Sequence, residues 1–314
     1  MNSETASDKP GASGESPKQL GYLPYLKLND GHEIPMLAYG LGTARVRGKD
    51  ADGPSKEIIE LMKLALKLGF NHLDGAELYR NEEELGIAIK ESGVSREAIY
   101  VTTKASCQGE RSLEESFSAS LKRLDLEYVD MYLLHYPFWA KSPAELQAKW
   151  VELEAIKASG RVRSIGVSNF LIDHLETILA TAKIPPAINQ IELHPWLPRT
   201  ELLAYLREKN IAVSAYGPLT AVTKAAKGDA LEEAYAELAK KYGVSPSEIG
   251  LRWCIDSGIV AITTSSNEGR MRQYQTKTPS FKLTPKEVEK ISQLGARNHY
   301  RGFFTNYFAE DDRR

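Results

Sequence analysis

Short apolar runs alternate with amphipathic segments along most of the chain, and this alternation constrains the fold more than any other feature. Each apolar run indicates a buried strand. Each amphipathic segment that follows indicates a helix, because the apolar residues of that segment recur at helical spacing. Such alternation predicts a parallel sheet covered by helices. Eight units about 30 residues apart suit a closed (β/α)8 TIM barrel better than an open doubly wound sheet. The predicted strands are residues 36–40, 70–73, 98–103, 129–134, 162–167, 187–192, 212–215 and 259–263.

The two ends of the chain add to this barrel. Residues 1–20 are mostly Ser, Gly, Pro, Lys, Glu and Asp, which bury too little apolar surface to offset their ordering entropy and predict a disordered tail. An N-terminal β-hairpin is predicted over 26–34, because Asp30-Gly31 supplies the positive φ of a hairpin turn. No linker divides residues 21–314, so we expect a single barrel domain with an aromatic C-terminal tail. The predicted helices are 55–68, 82–91, 113–124, 143–159, 171–182, 200–209, 231–242, 246–256 and 285–294.

Composition removes several function classes. A net charge of -2 leaves no basic footprint for nucleic acid or an anionic membrane. No apolar run approaches the roughly 18 residues of a membrane-spanning helix. Two cysteines are too few for a disulfide framework, and the histidines show no metal-ligand spacing. We therefore expect a soluble, cytoplasmic protein without a metal, present as a monomer or weak dimer and acting on a small molecule.

Ionisable residues stand at the C-terminal ends of successive predicted strands, where barrels place their chemistry. Asp74 ends the second strand, with Tyr79 in the loop behind it, Lys104 ends the third and His135 the fourth. A lysine beside a carboxylate stays protonated, and an ammonium beside a phenol lowers the pKa of that phenol. Tyr79 would then deliver a proton near neutral pH while His135 hydrogen-bonds a carbonyl oxygen.

These four residues lack a source of hydride, so the site implies a nicotinamide cofactor. Each residue also has a structural interpretation. A buried Asp–Lys pair is often only an ion pair, and a histidine on an apolar strand is more often a hydrogen-bonded core residue than a catalyst. Their joint placement at one rim is what favours carbonyl reduction.

Several motifs of the chain resemble those of the aldo-keto reductase family in residue type, order and spacing. The resemblance implies Tyr79 as general acid, Lys104 and Asp74 as the groups that tune it, and His135 as the residue that orients the carbonyl. It also implies a cofactor bound extended across the barrel rim, in agreement with the absence of a strand-linked G-x-G-x-x-G motif. The matching segments are residues 73–79, 81–83, 102–104, 133–135, 166–170 and 189–195.

The resemblance assigns the cofactor contacts as well. An arginine with adjacent hydroxyls suits the 2′-phosphate of NADPH. Thr264 stands where the family usually has a phosphate-binding lysine, so NADH remains possible. The implied cofactor residues are Thr43, Ala44 and Asp74; Ser168, Asn169 and Gln190 at the carboxamide; Tyr216 stacked on the nicotinamide; Gly217, Pro218 and Leu219 over the pyrophosphate; and Ser265, Ser266 and Arg270 at the 2′-phosphate.

The substrate mouth departs from the commonest family pattern, because Ala44 and Tyr136 stand where tryptophans are frequent. These departures resemble a fungal branch that includes conjugated polyketone reductases, and aromatic walls favour apolar or planar carbonyl compounds. The candidates for that wall are Phe138, Trp139, Trp196, Phe303, Phe304 and Tyr307.

The sequence thus predicts an NADPH-dependent reductase of aldehydes or ketones. Two alternatives stay open. One is a nicotinamide-binding regulatory subunit without turnover. The other is a Schiff-base lyase that uses Lys104 as its nucleophile, since barrels also host that chemistry.

Overall fold

The computed structural model describes residues 23–42, 45–48, 52–107, 109, 111–226 and 228–314. The predicted disordered tail at 1–20 lies outside these ranges, as do Thr43 and Ala44 of the predicted cofactor site. Within the described ranges, no helix combines the length and apolar character needed to cross a membrane.

A two-stranded antiparallel hairpin opens the described chain, as predicted. Strand β1 (Tyr25–Lys27) pairs with β2 (Glu33–Pro35), and Gly31 occupies the turn with a φ of +89°. Leu28 and Ile34 are buried in one cluster with residues from the N-terminal ends of the following strands, among them Tyr100. The hairpin therefore covers the end of the barrel at which the strands begin, and the end at which they finish stays open.

Eight parallel strands form a closed barrel, which confirms the predicted fold class. Strand β10 pairs with both β3 and β9, so the sheet has no free edge. All eight strands begin within two residues of their predicted starts. They are β3 (Leu37–Gly40), β4 (His72–Asp74), β5 (Tyr100–Ala105), β6 (Val129–Leu134), β7 (Val162–Ser168), β8 (Ile188–Glu192), β9 (Ala212–Tyr216) and β10 (Val260–Thr263).

Helices cover the outside of the barrel, and local signals set most of their ends. In α3, the Ser112 hydroxyl accepts the Glu115 amide and the Glu115 carboxylate accepts the Ser112 amide, a reciprocal cap. The helices of the described chain are α1 (Lys56–Lys67), α2 (Glu82–Ser92), α3 (Leu113–Leu124), α4 (Pro143–Ala158), α5 (Ile172–Leu179), α6 (Thr200–Glu208), α7 (Thr220–Lys224), α8 (Ala230–Tyr242), α9 (Pro246–Asp256), α10 (Glu268–Thr276) and α11 (Pro285–Gly295).

Two of these helices, α7 and α10, were not predicted from the sequence. Helix α10 buries only Met271 and Tyr274, so it carries no apolar stripe that a periodicity search would find. Its start is set instead by Asn267, whose side chain accepts the Arg270 amide at 2.9 Å.

Candidate active site

The C-terminal ends of the barrel strands open into a cleft of about 660 Å³. Most of the residues predicted for catalysis and cofactor binding meet in its wall, although they are far apart in sequence. Those in the wall are Asp74, Tyr79, His135, Ser168, Asn169, Gln190, Tyr216, Gly217, Pro218, Leu219 and Arg270.

Lys104 lies beneath the cleft wall, fully buried and paired with Asp74. Its Nζ donates to Asp74 Oδ1 at 2.6 Å and to the Gly75 carbonyl at 2.7 Å. The other Asp74 oxygen accepts from Gln190 Nε2 at 2.7 Å. A buried charge needs this degree of pairing, because desolvation would otherwise be too costly. The lyase hypothesis is not supported by this geometry, since its nucleophile would have to be an unpaired amine open to the cleft.

Tyr79 ends a 3₁₀ turn, Glu77–Tyr79, that follows β4. Its ring centroid lies 5.2 Å from Lys104 Nζ and 5.6 Å from the His135 ring, in an edge-on contact. Gly42 lies against the other side of the phenol, so closely that a Cβ there would stand 2.9 Å from Tyr79 Cζ and 3.0 Å from Oη. Glycine is thus required at position 42 for the phenol to occupy this place.

The expectation that Lys104 lowers the pKa of Tyr79 is wrong for this arrangement of the chain's own groups. Burial and the negative charge of Asp74 both raise the pKa of the Tyr79 phenol above its usual value. The Lys104 ammonium is already held by Asp74 and the Gly75 carbonyl, so its charge is largely offset by a carboxylate at contact distance. Tyr79 therefore carries its proton at neutral pH.

His135 follows β6 and is buried beside Tyr79. Burial and the Lys104 charge hold the pKa of His135 well below 6.5, so the imidazole is neutral at pH 7. Among the described residues, nothing hydrogen-bonds its buried Nδ1. A neutral imidazole can act as donor through one ring nitrogen and as acceptor through the other for a bound group.

The predicted carboxamide-binding residues form one hydrogen-bonded network. Asn169 has a left-handed backbone, with φ of +62°. Its Nδ2 donates to the His135 carbonyl and to Ser168 Oγ, both at 2.9 Å, and its Oδ1 accepts from the Tyr216 hydroxyl at 2.7 Å. Both amide hydrogens of Asn169 are therefore engaged, and only acceptor capacity remains for a ligand.

The structure separates the three residues predicted for the 2′-phosphate. The Arg270 side chain is in the wall. Of the described residues, Ser265 and Ser266 are not: Ser265 Oγ accepts the Asn267 amide at 3.1 Å, and Ser266 is exposed beside it. Their predicted contact with the phosphate stays a prediction.

The cleft wall also includes residues that the sequence reasoning did not select. Lys224, at the end of α7, adds a second cation to the wall, and its Nζ lies 4.8 Å from the Tyr300 ring centroid. Glu192, at the end of β8, adds a carboxylate. No pattern in the sequence marks Lys224, whereas a glutamate inside an apolar strand is itself a signal that a partner must exist.

The aromatic residues predicted for the mouth divide into three groups. Phe303 and Phe304 are in the cleft wall. Phe138 instead stacks on Tyr307, with ring centroids 4.3 Å apart, and both line a separate surface depression. Trp139 and Trp196 pack against the barrel core. In the described part of the chain, no cluster of three or more His, Cys, Asp or Glu could hold a metal ion.

Known proteins are similar to this chain over most of its length. The model of the aldo/keto reductase family matches residues 38–296. An NAD/NADP-dependent indole-3-acetaldehyde reductase of Schizosaccharomyces pombe is 37% identical over 277 residues, covering 87% of this chain and 96% of that protein. A glyoxal reductase of Bacillus subtilis is 36% identical, covering 86% and 92%. The crystal structure of a Bombyx mori aldo-keto reductase in complex with NADP superposes with a TM-score of 0.76 at 32% identity, covering 90% and 96%.

Proposed function

This chain belongs to the aldo/keto reductase family of oxidoreductases, and from that premise we propose that it reduces an aldehyde or ketone with NADPH, using Tyr79 as the proton donor. The observation that carries the proposal is the edge-on pair of Tyr79 and His135 in the cleft wall, directly above the buried Lys104–Asp74 pair. This arrangement joins a protonated phenol, a neutral imidazole and a compensated cation at one point.

The cleft fits a nicotinamide dinucleotide. Its volume of about 660 Å³ is within the range of small-molecule sites, and its wall carries both cations, Arg270 and Lys224, and the amides of Asn169 and Gln190. Ser168, Asn169 and Gln190 would hold the carboxamide, Tyr216 would face the nicotinamide ring, and Arg270 with Lys224 would meet phosphates. The reduced cofactor supplies the hydride that none of the protein's side chains can.

The remaining cofactor assignments belong to the same proposal. We assign residues 217–219, with Gly217 at a φ of +65°, to the pyrophosphate. Thr43 and Ala44 are retained as contacts on the resemblance alone. A preference for NADPH over NADH rests on Arg270, because a planar guanidinium binds a phosphate monoester bidentately.

The protein's own groups have separate tasks in the reaction. Neutral His135 donates a hydrogen bond to the substrate carbonyl oxygen and orients it. Tyr79 transfers its phenolic proton to that oxygen as negative charge develops there. Asp74 holds the Lys104 ammonium in place beneath the Tyr79 ring, so the phenolate forms beside a cation whose charge is already largely offset and takes up a proton again readily. Tyr79 regains a proton from solvent before the next turnover.

The regulatory-subunit alternative has no supporting observation, since the relatives reported above are named as reductases. We extend the proposal to a cytoplasmic enzyme that works as a monomer or weak dimer. Both cysteines, Cys107 and Cys254, are free thiols, as suits a reducing compartment.

Substitution of Tyr79 by Phe tests the proposal. Because general acid catalysis contributes about 10²–10⁴-fold, we expect Tyr79→Phe to lower kcat by at least 10²-fold while the Kd for NADPH changes little. NADPH oxidation with an aldehyde gives kcat, and fluorescence titration gives the Kd. Tyr205→Phe, in α6 and outside the cleft wall, is the matched control and should behave as wild type. A Tyr79→Phe enzyme with wild-type kcat would show that another group donates the proton.

A further inference from the structure

Glu192, at the end of β8, is a buried carboxylate that binds the C-terminal segment. Its side chain is 1% exposed. One oxygen accepts the Gly302 amide at 2.7 Å and the other accepts the Phe303 amide at 3.1 Å. A Cβ at Gly302 would stand only 3.1 Å from Glu192 Oε1, so glycine lets the backbone approach this closely. Two charge-assisted bonds to adjacent amides fix the position of that backbone.

Side chains around Glu192 extend the attachment to the end of the chain. His194 Nε2 lies 3.3 Å from Glu192 Oε1, and the Arg199 Nε donates to the Glu192 carbonyl at 3.3 Å. Arg301 donates to the carbonyl of Asp312 at 3.1 Å and also to that of Arg314. The tail is thus folded back onto the buried Glu192 carboxylate at one end and is bonded to Arg301 at the other.

The two amide bonds hold the aromatic residues that face the cleft. Phe303 meets the Tyr216 ring edge-on, with centroids 5.1 Å apart. Phe304 packs on Tyr136 at 5.8 Å and on Phe138 at 5.2 Å. Since Phe303 and Phe304 follow Gly302 directly, the place of this wall depends on where Glu192 holds the backbone.

We propose that Glu192 is the positioning residue for the aromatic wall of the carbonyl pocket, and that the pocket so formed selects aromatic or other planar apolar carbonyl compounds. This rests on the proposed function of the cleft. Stacking on fixed aromatic rings contributes to binding only when the rings are already in place, because ordering a mobile wall costs entropy at each binding event.

The test is Glu192→Gln in the full chain, with Glu154→Gln as the matched control. Glutamine keeps the shape but offers one acceptor, and its NH₂ group faces the second backbone amide. Glu154, in α4, is also buried and also accepts two consecutive amides, those of Lys183 and Ile184 at 2.7 and 2.8 Å, but it is not in the cleft wall. Both variants replace a buried carboxylate by an amide, but a single Glu154 oxygen, Oε1, accepts both amides, so Glu154→Gln controls for loss of the buried carboxylate away from the cleft.

We expect the KM of Glu192→Gln for benzaldehyde to rise about tenfold, the effect of losing one charge-assisted bond, while kcat and the KM for propanal stay near wild type. Glu154→Gln should change neither KM. Hydrogen exchange of the unliganded protein should show faster exchange at the Gly302 and Phe303 amides in Glu192→Gln only. Because Glu192 acts through the wall, combining its substitution with Phe303→Ala should add little to the benzaldehyde KM of Phe303→Ala alone.

Different failures have different meanings. If wild type reduces no carbonyl compound with NADPH, the proposed function fails and the substrate selection falls with it. If wild type is active and Glu192→Gln leaves the exchange of Gly302 and Phe303 unchanged, the attachment itself is refuted. Faster exchange with an unaltered ratio of benzaldehyde to propanal KM would refute the positioning role, as would full additivity with Phe303→Ala.

Discussion

Gly42→Ala should slow catalysis by displacing Tyr79 without changing a single catalytic group. The new Cβ would stand 2.9 Å from Tyr79 Cζ, which is 0.5 Å short of the 3.4 Å at which ordinary van der Waals contact begins. Gly42 is not in the left-handed region, so alanine adds no backbone strain and the contact is relieved by movement of the phenol. A misplacement of about 1 Å can cost about 10²-fold in rate, so half of that predicts a loss of about tenfold in kcat.

The assay is steady-state oxidation of NADPH with propanal, accompanied by the NADPH Kd and the thermal unfolding midpoint. Gly48→Ala is the matched control, because it lies in the same loop and a Cβ there meets nothing within 4 Å. We expect the loss to appear in kcat for Gly42→Ala alone, with both variants folded and binding NADPH. A Gly42→Ala enzyme with wild-type kcat and unchanged stability would refute the reasoning that the phenol must stand where this glycine allows it.

Two further predictions concern the cofactor and pH. Arg270→Ala should raise the Kd for NADPH by about 10–100-fold, the effect of losing a charge-assisted bond, and the Kd for NADH much less. Arg272→Ala, in the same helix, should change neither Kd. Equal increases of both Kd values in Arg270→Ala would exclude a 2′-phosphate contact. Burial lowers the pKa of His135 and of His72. Below about pH 6.5 the unfolded chain therefore binds protons that the folded chain does not. As the pH is lowered, the free energy of unfolding should decrease by about 1.4 kcal/mol per pH unit for each histidine. Urea unfolding between pH 7 and 5 measures this slope, and an identical slope in His135→Gln would contradict the assignment.

The barrel was predictable because its signals are local. The limits of α3 and β6 were predicted to the residue, since the former begins at the Ser112 cap and the latter is an apolar run interrupted only by Asp130. The hairpin turn followed from Asp30-Gly31 in the same way. Helix α10 was missed because its nine residues bury only two side chains, so its helicity depends on a cap and on packing against the rest of the barrel.

The site was predictable as a set of residues but not as a set of contacts. Strand ends of a parallel barrel meet at one rim, so Asp74, Lys104 and His135 could be placed together without coordinates. The sequence could not show which of these residues would dominate the pKa of Tyr79. An electrostatic shift of a pKa depends on distances of a few ångströms and on how each charge is already paired.

The aromatic residues of the cleft wall show most clearly which features follow from the sequence and which are set by the tertiary structure alone. From the sequence, six aromatic residues were equivalent candidates for the cleft wall, and the structure chooses Phe303 and Phe304. The choice is made by Glu192, which lies 110 residues before Gly302 and captures its amide. Periodicity and turn chemistry act between near neighbours in the chain and were sufficient for the eight barrel strands and for the helices other than α7 and α10. The partner of a buried charge is decided by whichever group the folded chain brings within hydrogen-bond distance, and only the tertiary structure sets that.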